Sequence, residues 1–392
     1  MARLGDVCLT ILDGDWIESK DQSQSGIRLI QTGNIGVGEY LDKSNRSKFI
    51  STETFERLNC TEIFSGDILI SRLPDPIGRA CIVPHYVGKA ITAVDCTIVR
   101  LDDSLCNINY FINYTQSVQY ANELSKFLAG TTRTRISRNN LEKIEIPLPS
   151  LDEQRKIAAV LDKVSDLIAK RCQQLDKLDE LVKAKFVEMF GDPETNTKNW
   201  RILPMSKICS VGSSKRIYQS EQSPSGVPFW RISDLTSLIT TGTVTPELYI
   251  PEERYKELKT QGQVPAPGDI LITSRGTLGQ CYIVNANDRF YFQDGMISWL
   301  SGYMDGVTPL YISYLFTMPG FRKQIDSMQA GSTVAYLSIA MIKKLKVMLP
   351  DIESQQQFAS FVSKTEKTKT TISKSLEKLE TLKKALMQEY FG

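Results

Sequence analysis

Two stretches of this chain repeat each other about 201 residues apart, and each ends on the same dipeptide, Phe-Gly. Ala129-Gly130 recurs as Ala330-Gly331, Pro149 as Pro350, Gln154 as Gln355, Phe190-Gly191 as Phe391-Gly392 and Cys8 as Cys209. Gly66-Asp67-Ile68-Leu69-Ile70 returns as Gly268-Asp269-Ile270-Leu271-Ile272, displaced by 202, so loops gain or lose only a residue or two between copies. A duplication this long is a folded module used twice, and two similar modules in one chain point to a ligand with two related halves.

Each copy has two parts. The first, about 150 residues, carries short β-like runs set off by Gly, Pro, Asn and Asp. Ile27 to Ile30, Asp67 to Ser71, Ala80 to Val83 and Thr97 to Leu101 are such runs, and Phe229 to Ile232, Asp269 to Thr273 and Cys281 to Val284 match them in the second copy. Ile108 to Lys126 and Leu310 to Ser327 have helical spacing, so the module reads as α+β.

The second part differs in kind. Leu151 to Phe190 contains no Gly or Pro, and Ile157, Leu161, Val164, Ile168, Leu175, Leu178, Val182 and Met189 follow a heptad pattern interrupted by Arg171 and Lys185. The equivalent stretch places Phe358, Val362, Thr365, Ile372, Leu376, Leu379, Leu386 and Tyr390 on one seam, weakened by the polar run Lys364 to Thr371. Pro149 with Asp152, and Pro350 with Asp351, are helix starts; Gly191 and Gly392 are helix stops. A helix of some 40 residues spans roughly 60 Å and cannot leave such a stripe in water. The expected partner of each helix is the other one, antiparallel about a pseudo-twofold axis. That divides the chain into modules at 1–150 and 192–350 and helices at 151–191 and 351–392.

Composition bounds the chemistry. With 41% apolar residues, no apolar run of membrane length and no charged-then-apolar leader, a cytoplasmic protein is expected. Eight cysteines without a CxxC pair fit reduced thiols packed as small hydrophobes. The single histidine, His85, excludes histidine-based triads and multi-histidine metal sites. There is no GxxxxGK[ST] loop, Gly33 to Gly38 has the wrong spacing for a dinucleotide fingerprint, and Asp75-Pro76-Ile77 is not an amino-methylation motif. The chain does not read as an enzyme, and no cofactor is expected in it.

Net charge is only +2, and residues 1–150 carry 16 basic and 18 acidic side chains against 16 and 12 in 193–350. Contact with nucleic acid must therefore come from local clusters. The segment from Ala129 to Arg138 holds Arg133, Arg135 and Arg138 among hydroxyl side chains, a composition suited to phosphates and base edges. Its counterpart keeps the frame with Ser332 and Thr333 and loses the arginines. A second loop pair, Ser71 to Arg79 and Ser274 to Gln280, offers Arg72, Arg79, Arg275 and Gln280, with Arg72 and Arg275 read as like positions. Lys215, Arg216 and Arg231 add charge to the second module alone. Each loop can also be read as a solvated connection.

Taken together these features resemble the DNA specificity subunits of type I restriction-modification systems. The resemblance covers the whole chain and rests on Leu148-Pro149-Ser150-Leu151 and Leu349-Pro350-Asp351-Ile352, on the Gln154 and Gln355 that follow, and on Phe186-Val187-Glu188-Met189-Phe190-Gly191-Asp192-Pro193. The Gly-Asp-Ile-Leu strands and the Gly276-Thr277-Leu278-Gly279 loop belong to the same pattern. It implies two α+β target recognition domains separated by two long antiparallel coiled-coil helices. It also implies a subunit without catalysis that binds double-stranded DNA at a split site. Such a subunit holds two methyltransferase subunits, which use S-adenosylmethionine, and motor/nuclease subunits in a full restriction complex. A duplicated scaffold that joins partner proteins without DNA specificity is the alternative reading.

Overall fold

The computed structural model describes residues 1–128, 134–329 and 335–392. They form two compact units: residues 1–173 together with 373–392, and residues 174–372. The boundary crosses both long helices, Leu151–Phe190 and Ile352–Phe391, so each unit contains the start of one helix and the end of the other.

In the first unit, strands Cys8–Asp13, Cys96–Leu101, Ile68–Ser71 and Ala80–Ile82 lie side by side in that order, all antiparallel. Ile68 and Ile70 point into a core with Tyr110, Phe111 and Tyr114, while Leu69 faces Ile30, Ile63 and Ala90 on the other side. Both faces are covered, which is why Ile68-Leu69-Ile70 is continuously apolar instead of alternating. A smaller five-stranded sheet supplies the second face and contains one parallel pair, Ile27–Ile30 with Ala90–Thr92.

The second unit repeats this plan. Strands Ser210–Gly212, Ile297–Ser301, Ile270–Thr273 and Cys281–Ile283 form its antiparallel sheet, and Val227–Trp230 pairs in parallel with Tyr291–Phe292. The conserved plan extends to single side chains. Asp67 Oδ2 accepts the Phe64 amide at 2.9 Å and Asp269 Oδ2 accepts the Ala266 amide at 2.8 Å, each tying the turn before its strand. The other partner differs: Arg100 grips Asp67 at 2.8 Å, whereas the Trp299 indole donates to Asp269 at 2.9 Å. Burial pushes the Asp269 carboxyl above its usual range, against the pull of the Ala266 and Trp299 donors.

Two buried glutamines lock each helix to its own module. Gln154 donates to the carbonyls of Leu105 and Pro149, both at 3.0 Å, and accepts the Asn107 amide at 2.8 Å. Gln355 donates to Gly306 at 2.9 Å and Pro350 at 3.0 Å and accepts the Thr308 amide at 2.9 Å. These partners all sit 201 residues apart. Buried amides with every bond made fix both position and orientation of the helix start.

The far end of each helix serves the other repeat. Phe391 packs against Tyr110 and Tyr114 at centroid distances of 5.4 and 5.5 Å, inside the first module's core. Phe190 packs against Tyr311 at 5.1 Å and Phe358 at 5.4 Å, in the second. Gly191 and Gly392 follow in the left-handed region, φ 79° and 78°, where their amides close the last turn on Val187 and Gln388. The repeated Phe-Gly is thus a plug with a stop behind it.

The seam residues near the modules are buried: Ile157, Leu161, Val164, Val182, Phe358 and Val362. Ile168, Leu175, Leu178, Ile372, Leu376, Leu379 and Leu386 are half-buried. Near its end the central helix turns Val182, Phe186 and Phe190 inward at intervals of four, and Lys185 stands beside this face and pairs with Glu188 at 2.7 Å. The heptad expectation passed over Phe186 because it gave weight to the strict repeat; the 3.6-residue helix period brings that position to the core. All eight thiols are free; burial pushes Cys60 and Cys96 up to about 11 and Cys8 and Cys209 up to about 12, while Cys172 is exposed on the central helix.

Emptying a plug should loosen the module of the opposite repeat. F391A and F190A are each expected to cost roughly 3–5 kcal/mol. Hydrogen exchange should lose protection across residues 1–150 in F391A and across 193–350 in F190A; the reverse pattern would disprove the exchange of helix ends.

Candidate nucleic-acid interface

The loops after the two Gly-Asp strands are held by the same backbone bonds, and this sets the correspondence between copies. The amides of Arg72 and Ser274 donate to Asp95 and Met296 at 2.9 Å, and the carbonyls of Arg72 and Ser274 accept from Ile136 and Leu337. Arg72 therefore corresponds to Ser274, and Arg275 to Leu73. The expected match of Arg72 with Arg275 is corrected by one residue, because the strands and the residues making these bonds keep a displacement of 202 while the two Ser-Arg dipeptides lie 203 apart.

In the first module this frame gathers three of the candidate arginines. Arg72 is buried at 5% exposure, with its guanidinium on Asp13 at 3.0 Å and on the Val94 carbonyl. Burial pulls it below its ordinary pKa, with the Asp13 charge opposing. Arg138 lies 3.9 Å from the same carboxylate and 3.3 Å from Glu142, and Arg135 pairs with Asp95 at 3.0 Å. Arg79 reaches four carbonyls, those of Thr32, Ile35, Leu73 and Pro76, at 2.7–3.0 Å, and so props two loops at once. Arg72 and Arg79 thus shape the surface from beneath, while Arg135 is exposed and Arg138 partly so.

The second module answers the positions of Asp13, Arg72, Arg79 and Arg135 with uncharged side chains. Ser213 stands for Asp13, and Ser274 shares a hydrogen bond with Ser298 at 2.8 Å in place of the buried arginine. Tyr336 replaces Arg135, and the Arg275 guanidinium lies over its ring, 5.3 Å from the centroid. Gln280, at the place of Arg79, keeps a buried Oε1 without a partner among the described residues.

Three further cations lie apart from this cluster. Lys215 is exposed, its backbone held by the Tyr291 hydroxyl. Arg216 pairs with Asp294 at 2.9 Å and Arg231 with Glu247 at 2.7 Å; each pairing raises the guanidinium pKa. Arg133, Ser332 and Thr333 lie outside the described residues. Among the described residues no group of His, Cys, Asp and Glu could hold a metal ion, and no helix is long and apolar enough to cross a membrane.

Residues 1–179 and 197–383 each match the type I restriction modification DNA specificity domain. The chain belongs to that family. Within it, the chain is a specificity subunit, the non-catalytic part of a type I system. It is 27% identical over 255 residues to a putative type I restriction enzyme specificity subunit of Haemophilus influenzae, a match covering 64% of this chain and 63% of that one. It is 22% identical over 367 residues to the MjaVIII specificity subunit of Methanocaldococcus jannaschii, covering 89% and 83%. Two solved structures share the fold of this specificity subunit. The type I S subunit from M. genitalium has a TM-score of 0.55 at 14% identity, covering 100% of this chain and 95% of that one. A chain from a type I assembly, described for its complex assembly and conformational transition, has 0.58 at 18%, covering 100% and 96%.

The contrast between the modules can be tested by transplantation. R72S removes the buried partner of Asp13 and is expected to destabilise the first unit by about 2–4 kcal/mol. R72S places a hydroxyl where Ser274 meets Ser298, beside the buried Thr97 hydroxyl, and adding D13S removes the carboxylate left without its partner and completes the second module's solution. Denaturant unfolding should show the double variant to be more stable than R72S alone; a double variant that is worse would contradict the equivalence.

Proposed function

We propose that this specificity subunit reads a bipartite duplex DNA target, residues 1–150 reading one half-site and 193–350 the other. The long helices set the distance between the half-sites. The observation that carries this is the frame shared by the two loop sets, bond for bond, with arginine–carboxylate pairs in one and a hydroxyl pair and an arginine over a tyrosine ring in the other. A constant frame with divergent side chains suits two readers of different sequences, because position comes from the scaffold and discrimination from the groups that reach base edges. Arg135, Arg138, Lys215, Arg216, Arg231 and Arg275 are the contacts from this set, with Arg133, Ser332, Thr333 and Gln280 in the same loops. Arg72 and Arg79 contribute by holding those loops in place.

In this reading the helices dock two methyltransferase subunits, and motor/nuclease subunits join where the system restricts. S-adenosylmethionine belongs to the methyltransferase. The similarity to a chain from a type I complex assembly supports such partners. The helix is also a ruler: at about 1.5 Å per residue, four residues inserted near Cys172 add roughly 6 Å, close to two base-pair steps.

Exchange of residues 193–350 for another family member's module should alter one half of the methylated motif and leave the other intact, as read by methylome sequencing. The four-residue insertion should lengthen the unread gap. A swap that changes both halves, or an insertion that leaves the gap unchanged, would refute the corresponding assignment. Binding to duplex DNA in the presence of the methyltransferase should weaken steeply with salt; a scaffold without DNA specificity would not bind.

A further inference from the structure

A second concentration of positive charge lies in the first module, away from the arginine cluster. The strand Ile27–Ile30 leads into the turn Thr32–Asn34, and the chain returns through the turn Ser44–Arg46 to the strand Lys48–Ile50. Between outgoing and returning segments is a concavity of about 370 Å³, whose lining includes Arg28, Thr32, Asn34, Lys43, Arg46 and Lys48. Its one wall is built to hold still. Asn34 is buried, its side chain accepts the Gln31 amide at 3.1 Å and donates to the Leu41 carbonyl at 3.0 Å, and Arg79 pulls on Thr32 and Ile35 from below.

The cations face this wall. Arg28 is neutralised by Asp42 at 2.7 Å, and Asp42 is also held by Ser44. The side chains of Lys43, Arg46 and Lys48 are exposed and have no ion-pair partner among the described residues. Gly33 leaves room for the Lys43 ammonium, which would lie 3.2 Å from any Cβ placed there.

The other module has no such cluster: Ile232–Thr241 is helical there, and the one cation of that loop, Arg231 at the place of Gln31, is paired with Glu247 at 2.7 Å. Arg28 pairs with Phe49 across the strands as Pro228 pairs with Tyr249, so the two loops match at a constant displacement of 200. The positions of Arg28, Lys43, Arg46 and Lys48 are then Pro228, Thr243, Pro246 and Leu248. A loop of the same length between matching strands that carries cations at these four positions in one copy and none at them in the other is not explained by folding, which both sequences achieve.

We propose that this cleft is a phosphate-binding site of the first module, taking the sugar-phosphate backbone of the duplex beside the half-site that module reads. The assignment rests on the DNA-reading function proposed above and adds to it a contact surface outside the two loop pairs. Flexible lysines and an exposed arginine around a polar wall suit backbone anchoring more than base discrimination. Each backbone phosphate neutralised contributes about 0.9 to the slope of log K against log salt concentration.

The test uses the full chain assembled with its methyltransferase subunits, a duplex carrying the methylated motif and one lacking it. Binding of K43Q, R46Q, K48Q and the triple variant is followed by fluorescence anisotropy across a salt series. The triple variant is expected to lose about 2–3 from the salt slope and each single variant about 1, on both duplexes, with the motif unchanged. These are exposed side chains, and the single variants keep the test readable should the triple variant fold poorly. An unchanged slope while wild type binds normally would overturn the cleft and leave the DNA-reading function standing. An altered motif at unchanged slope would also overturn it, because the residues would then be reading bases. A loss of methyltransferase assembly with DNA affinity intact would reassign the cleft to a protein partner and overturn it. Failure of wild type to bind any duplex would take down the parent function together with the cleft.

Discussion

Each half of this protein depends on an aromatic side chain delivered by the other repeat. Phe391 completes the core around Tyr110 and Tyr114, and Phe190 completes the core around Tyr311 and Phe358. Burial of a phenylalanine side chain among aromatic rings, in edge-to-face contact, is among the larger single contributions a core can receive. Neither module's core is made of its own repeat's residues alone. The reciprocal exchange makes the long helices part of both cores, so a change in one repeat's helix end is felt in the opposite module.

The buried glutamines complement this exchange. Gln154 and Gln355 hold each helix start to its own module through three backbone groups apiece, while the phenylalanines anchor the helix end elsewhere. Each helix is thus held at its start by an amide and at its end by an aromatic ring. The loops sit on sheets whose Gly-Asp turns and strand registers agree between copies, and their side chains have diverged without disturbing the frame.

The fold was largely legible in the sequence because its signals are local or repeated. Helix boundaries follow from proline, acidic first turns and terminal glycine; continuous apolar strands follow from burial on both faces. Gln154 and Gln355 stood out as a repeated pair, although nothing local showed that their amides reach into the module 47–49 residues upstream. Phe186, quoted in the Phe-Val-Glu-Met-Phe-Gly run, was not read as a packing position for a related reason, since a heptad read along the chain favours Lys185, whereas Val182, Phe186 and Phe190 enter the core at intervals of four.

The candidate interface was less legible. Composition identifies arginines but not their depth, and Arg72 proved to be buried on Asp13, a residue 59 positions away in sequence, while Arg79 spends its donors on four carbonyls. The basic cleft escaped notice because Arg28, Lys43, Arg46 and Lys48 are scattered between acids and hydroxyls along the chain and converge only when two turns close on each other. By itself the sequence determined the duplication, the α+β modules, the two helices and the family, since these rest on periodicity and on residues that recur at a constant spacing. Only the tertiary structure decided which module each Phe-Gly end completes, which arginines are scaffold and which are surface, and that Arg72 answers to Ser274. Those depend on distances between residues far apart in the chain, which packing and hydrogen bonding set and no local pattern encodes.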